Sequence, residues 1–243
     1  MSARRTGSGE PALESAGGAA LAQEAHSREA LAREAVRAAA LVLLEEGLVA
    51  GTWGNVSTLV RPGLMAITPS GSDYRAMRAT DIVLVDLETG AAEGGKPSTE
   101  RDLHAEIYRR RPEVKAIVHT HSMSASTVAA ARREVPPILD DLAQIVGPSL
   151  RVADYALPGS AKMRRSVLAA LRGRMAALMA NHGAIALGRG LDEALVCARV
   201  LEKGCRAFIE AEFLGGAKAI GKVEAFAMHQ VYLRKYSRQG RAP

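Results

Sequence analysis

Four short apolar runs constrain this chain more than any other feature. They are Ile82-Val83-Leu84-Val85, Val114-Lys115-Ala116-Ile117-Val118, Ala176-Ala177-Leu178-Met179-Ala180 and Ala184-Ile185-Ala186-Leu187. Each is short and bounded by turn signals, as buried strands are. Val56–Val60 and Leu64–Thr68 read as a hairpin around Arg61-Pro62-Gly63, and Arg151–Ala153 as a further short strand. Segments with helical period separate these runs. In Ser27–Glu46 the residues Leu31, Ala35, Ala38, Leu41, Val42 and Glu45 recur at helical spacing, with Ser27 placed as N-cap and Gly47 as terminator. Helices are also expected from a Ser98 or Thr99 cap to Arg110, and over Ser124–Arg132, Ile138–Val146, Lys162–Arg172 and Asp192–Leu214. Strands interleaved with helices on this scale imply one layered α/β domain.

A length of 243 residues suits one such domain with loose ends. Residues 1–27 are small and polar and are expected to be disordered. The domain proper is expected over 28–216, and 217–243 is a basic, partly helical tail. From Lys218 to Arg241 there are six Lys or Arg against one Glu, almost the whole net charge of +6. The tail lacks the aromatic-basic interleaving of an RNA-recognition module, so it does not read as a nucleic-acid surface. No segment is long and apolar enough for a membrane span or a signal peptide. Cys197 and Cys205 lie eight apart in an expected helix, roughly 12 Å, too far for a disulfide and wrongly spaced for zinc. A cytoplasmic protein with free thiols is the expectation.

Two histidines, His119 and His121, stand at the end of the run Val114–Val118. Residues i and i+2 of a strand share a face, so both imidazoles can reach one divalent metal. His182 stands at the end of another apolar run, before Gly183. Three imidazoles leaving one position open suit a catalytic zinc. Each histidine also has an ordinary reading as a satisfied core residue. Glu100 sits near a helix start, where an N-terminal acid is common. Thr52, Asn55, Ser70, Gly71, Ser98 and Thr99 fall in three loops of short hydroxyl and amide donors with glycines, suited to a phosphate nest or simply to turns.

Taken in order, Gly51-Thr52-Trp53-Gly54-Asn55-Val56-Ser57, Thr68-Pro69-Ser70-Gly71, Lys96-Pro97-Ser98-Thr99-Glu100, His119-Thr120-His121 and Asn181-His182-Gly183 resemble the class II aldolase/adducin family over roughly residues 29–215. The nearest functional type is L-fuculose-1-phosphate aldolase. The resemblance implies a three-layer fold, a mostly antiparallel central sheet with helices on both faces. It also implies a homotetramer with fourfold symmetry and active sites at subunit interfaces. Carried over, it makes His119, His121 and His182 the ligands of one Zn2+ and Glu100 the acid/base. Thr52, Asn55, Ser70, Gly71, Ser98 and Thr99 become the phosphate positions.

The implied reaction is reversible cleavage of a ketose 1-phosphate, of the L-fuculose or 5-deoxypentulose type, to dihydroxyacetone phosphate and a small aldehyde through a metal-stabilised enediolate. This is the work of a class II aldehyde-lyase in carbohydrate metabolism. Related 4-epimerases carry aspartate where Glu100 stands. Adducin-like interaction modules lack the histidines, and a decarboxylase of a phosphorylated oxo-acid is the alternative on the same fold. One departure concerns the aldehyde end. Where the aldolases have a tyrosine, this chain reads Leu139-Asp140-Asp141-Leu142, leaving Asp140, Asp141, Tyr232 and Tyr236 as candidates. His104 reads as structural.

Overall fold

The computed structural model describes residues 11–235. Eight strands form one sheet: β1 (Asn55–Arg61), β2 (Leu64–Ile67), β3 (Val83–Asp86), β4 (Ala92–Glu93), β5 (Ala116–Thr120), β6 (Val152–Ala153), β7 (Ala176–Met179) and β8 (Gly183–Gly188). Their order is β4-β3-β2-β1-β5-β8-β7-β6, antiparallel throughout except for the β6–β7 edge pair. The central strands β5, β7 and β8 are buried along their whole length, as their unbroken apolar runs require.

The helices are α1 (Pro11–Glu45), α2 (Arg101–Arg110), α3 (Met123–Ala131), α4 (Ala161–Ala170), α5 (Leu191–Phe213) and α6 (Lys222–Lys235). Register assigns two of them to opposite faces. Thr58, Ala116 and Gly188 are cross-strand partners and share a face. A Cβ on Gly188 would meet the backbone of Ala194, so α5 covers that side. Ser57 points the other way and bonds His104 and Tyr108 of α2. The expected three-layer, mostly antiparallel α/β architecture is therefore present. Helices α3 and α1 pack with α5, and α4 packs with α2 and against β6 and β7.

Three local expectations change. Helix α1 continues N-terminal of Ser27 to Pro11, and the Ser27 hydroxyl donates to the Gln23 carbonyl inside the helix instead of capping it. The N-cap of α2 is Glu100 itself; Ser98 Oγ lies two residues back and accepts from Glu100 N–H at 3.3 Å. The stretch Ile138–Val146 is helical only from Asp140 on, and over Leu142–Val146 it is a wide π-type turn capped by the Asp141 carboxylate. Pro136 and Pro137 lead into it, and neither can extend a helix backward.

Both cysteines are free and buried on α5, and burial pushes the Cys197 thiol up to about 12. No helix among the described residues is long and apolar enough to cross a membrane.

Candidate active site

The ladder between β1, β5 and β8 sets the site. Asn55 of β1 is the cross-strand partner of His119, which in turn faces Ile185 of β8. Asn55 and His119 thus lie on the α2 face of the sheet, where Glu100 begins α2. His121 follows two residues beyond, its N–H tied to the Leu48 carbonyl at 3.0 Å. His182 comes from the turn joining β7 and β8. Asn181 there takes the left-handed conformation at φ 55, and its Oδ1 accepts from the Arg132 guanidinium at 2.9 Å. Gly183 is required for close approach, since a Cβ would stand 2.2 Å from the Thr120 carbonyl oxygen.

The three imidazoles converge. Their ring centroids lie 4.7, 4.9 and 5.0 Å apart, and the planes cross at 70–75°. His119 Nε2 and His121 Nε2 are 2.9 Å apart, and one ligand atom from each of the three residues falls within 4.8 Å of the others. Among the described residues this is the one group of histidine, cysteine or acidic side chains so arranged. His119 Nδ1–H donates to the Ala184 carbonyl at 2.9 Å, which leaves its Nε2 lone pair free to bind. Burial, with the adjacent His119 and His182, pushes His121 down to about 3 against the pull of Glu100. His182 is lowered by burial and by His119. Three imidazoles with convergent ring nitrogens are the donor set a divalent metal takes, so these residues fit one.

Glu100 closes the site from α2 and is 5% exposed. Its Oε2 accepts from Asn55 Nδ2 at 2.9 Å and lies 3.1 Å from His119 Nε2. Its Oε1 is 3.6 Å from His182 Nε2 and is buried without a hydrogen-bond partner. Burial alone would raise this carboxyl. The nearby His119 and His182, then the Asn55 bond, outweigh it and hold Glu100 below its ordinary value.

Backbone bonds draw the three donor loops together. Ser70 N–H donates to the Lys96 carbonyl and Ser98 N–H to the Thr68 carbonyl, both at 3.0 Å. The buried Tyr74 hydroxyl donates to the Gly54 carbonyl at 2.7 Å, tying the first loop to the second. Gly54 is held at φ 88 with no room for a side chain, because a Cβ would lie 2.8 Å from the His119 carbonyl oxygen. Thr52, Gly71 and Thr99 are exposed on this rim and Ser70 is half-buried, whereas Ser98 and Asn55 are buried and already bonded to Glu100.

The aldehyde-end candidates are not gathered here. Asp141 caps the π-type turn and pairs with Lys203 of α5, and Asp140 is exposed beside it. Tyr232 lies near Arg189, Glu193 and Cys197, beyond Gly188. That is the end of β8 away from His182, about 17 Å along the strand. Tyr236 falls outside the described residues.

One residue and one pairing were missed in the sequence. Glu202 of α5 caps α3 directly after the His119–His121 strand end, accepting from Ser122 Oγ–H at 2.7 Å and from the N–H groups of Ser124 and Ala125 at 2.8 Å. His104, fully buried one turn after Glu100, bonds Ser57 Oγ through Nδ1 at 2.7 Å and is pushed down to about 3, chiefly by burial. The spacing of four from Glu100 marks His104 as facing the same way, but its strand partner could not be read without the register.

Residues 34–209 match the family model described as the class II aldolase and adducin N-terminal domain. The chain belongs to this family. It is 34% identical over 194 residues to the 5-deoxy-D-ribulose 1-phosphate aldolase of Bacillus thuringiensis serovar kurstaki, covering 79% of this chain and 91% of that one. It is 35% identical over 175 residues to the L-fuculose phosphate aldolase of Escherichia coli strain K12, covering 72% and 80%. A solved structure of L-fuculose 1-phosphate aldolase superposes with a TM-score of 0.79 at 31% identity, covering 83% of this chain and 95% of the other. For this member of the class II aldolase/adducin family, the three convergent histidines are the feature with chemical consequence.

Proposed function

We propose that this chain is a zinc-dependent aldolase acting on a ketose 1-phosphate of the 5-deoxypentulose or L-fuculose type. The observation that carries the reading is Glu100: a buried carboxylate with one oxygen pinned and the other unpartnered, set against three convergent imidazoles. Such a pair of features suits proton transfer at a carbon next to a polarised carbonyl. The similarity to aldolases of both substrate types supports the same class of sugar phosphate.

His119, His121 and His182 would hold the ion, which when bound supplies Lewis acidity toward the carbonyl and hydroxyl oxygens of the substrate. The protein's own part is positional. The Asn55 side-chain Nδ2–H holds Glu100 Oε2, so that Oε1 is the atom that exchanges a proton with the hydroxyl-bearing carbon of dihydroxyacetone phosphate. In the condensing direction Glu100 removes that proton. In cleavage the C4 hydroxyl gives up its proton as C4 becomes the aldehyde carbonyl, the C3–C4 bonding pair passes to C3, and Glu100, protonated in turn, delivers a proton to that same carbon. Backbone N–H groups of Thr52, Gly71 and Thr99 and the hydroxyls of Thr52, Ser70 and Thr99 line the rim where a phosphate would sit, with Ser98 and Asn55 stiffening it from below. Asp140, Asp141 and Tyr232 lie away from the histidines within one chain. They would meet the aldehyde end of a substrate only across a subunit boundary, as in a cytoplasmic homotetramer with interfacial sites.

The test is direct. Purified protein loaded with zinc is given 5-deoxyribulose 1-phosphate, L-fuculose 1-phosphate and related ketose 1-phosphates, and dihydroxyacetone phosphate is measured through glycerol-phosphate dehydrogenase. Release of dihydroxyacetone phosphate that stops on chelation and returns with zinc is expected. Absence of zinc-dependent release from every sugar tried would overturn the reading.

A further inference from the structure

Behind Glu100 the structure holds a second layer of buried polar groups that no step of the proposed reaction uses. Asn55 and Ser57 lie two apart on one face of β1, and Glu100 and His104 lie four apart on one face of α2. The two elements meet through two rungs: Asn55 Nδ2 to Glu100 Oε2 at 2.9 Å, and Ser57 Oγ to His104 Nδ1 at 2.7 Å. Ser57 Oγ is also 2.7 Å from the Tyr108 hydroxyl. Tyr108 is buried with Ser57 as its partner, and it donates to Ser57, because accepting instead would strand its own proton. The Ser57 hydroxyl then donates to His104 Nδ1. The ring hydrogen of His104 is thereby placed on Nε2.

His104 Nε2 is buried without a protein partner, and so is Asn55 Oδ1. The Asn55 amide cannot be turned over, since its oxygen would then face the Glu100 carboxylate. A stranded donor and a stranded acceptor thus belong to neighbouring rungs, about 6–7 Å apart along both elements. Two hydrogen bonds of about 2.8 Å through one water span at most about 5.6 Å, so a single buried water, accepting from one group and donating to the other, requires the two stranded atoms to lie on the facing sides of their rungs.

We propose that His104 is a positioning residue for Glu100: held as the Nε2–H tautomer by Tyr108 and Ser57, it donates through one buried water to Asn55 Oδ1. This locks the Asn55 amide so that its N–H keeps Glu100 Oε2 and leaves Oε1 turned to the site. Full burial keeps the imidazole neutral throughout. Only the kinetic arm of the test rests on the aldolase reading.

The tautomer is measured first, by long-range 1H–15N correlation of histidine-labelled protein. His104 is expected as the neutral Nε2–H form. The Nδ1–H form or an imidazolium would overturn the proposal whatever the protein catalyses. The kinetic arm compares His104→Leu, which removes the donor, with His104→Gln, whose amide can restore one near Nε2. His104→Leu should lower kcat about 10- to 100-fold with KM and bound zinc within about twofold. His104→Gln should recover most of that loss. Equal losses in both variants, or a loss that tracks zinc content, would overturn it. Should His104→Leu not fold, Tyr108→Phe removes the donor that sets the chain's direction. It should populate the second tautomer and lower kcat part of the way, and a spectrum and kcat both unchanged would count against the proposal. If the wild-type protein turns over no ketose phosphate, the aldolase reading fails while the tautomer still decides the hydrogen-bond chain.

Discussion

Glu202 offers the sharpest energetic prediction, because one carboxylate serves three donors at the start of α3. Truncation to alanine removes an N-cap, worth about 1 kcal/mol and up to about 2 in proteins. It also strands the hydroxyl of Ser122, which is 2% exposed, adding on the order of 1–3 kcal/mol. Glu202 itself is half-buried beside an open groove, so water can reach the freed Ser124 N–H and recover part of the loss. The net expectation is a destabilisation of about 2–3 kcal/mol for Glu202→Ala, or roughly 5–10 °C in Tm for a chain of this size. Glu202→Gln keeps one acceptor oxygen and should cost about 1 kcal/mol. Urea unfolding of metal-free protein, followed by circular dichroism at one fixed protein concentration, measures both. Because α3 starts directly after His121, Glu202→Ala should also weaken zinc binding roughly tenfold in a chelator competition. An alanine variant that unfolds within about 0.5 kcal/mol of wild type would refute the capping argument.

Other expectations follow from the same geometry. Glu100→Gln should still bind a divalent metal yet lose about 10²–10⁴ in kcat, read from steady-state kinetics beside metal analysis. His182→Ala should lose zinc on dialysis and more activity than the roughly 10–100-fold typical of an outer partner. Gly183→Ala forces a methyl against the Thr120 carbonyl, so it should cost about 3 kcal/mol or more and release zinc, both measurable by denaturation and metal content. Metal-free protein should lose stability in acid. His104, near 3 when folded and about 6.5 when unfolded, lets the unfolded chain bind the extra proton, so stability present above pH 6.5 falls as pH drops toward 3. From pH 6.5 to 4.5 this amounts to at most about 2.7 kcal/mol, and His104→Gln should flatten that part of the profile in urea titrations.

Much of this molecule was legible from its residues because the signals were local. An apolar run of four or five residues with a histidine at its end declares both a buried strand and a group aimed out of it, and His119, His121 and His182 followed from that. Glu100 and the three loops were readable for the same reason, by short spacing to glycine, serine and threonine. What escaped depends on pairing across long separations. Glu202 caps a helix some 78 residues away, and Ser57 meets His104 across 47. Nothing in the neighbourhood of either residue encodes its partner. Ser27 shows the converse failure: a good cap residue is bypassed when the helix before it continues to Pro11.

The β1–β5–β8 register has a consequence for how the protein is made. Its site residues stand at positions 55, 100, 119 and 182, and the His119–Ala184 bond alone spans 65 residues. Such distant pairings close late in folding, after large loops have been ordered. A metal ion would therefore meet its three histidines only in a nearly complete sheet, and could not act as a template for the early chain. Zinc should then leave the refolding rate almost untouched and slow unfolding instead, so that its contribution is to the lifetime of the folded protein.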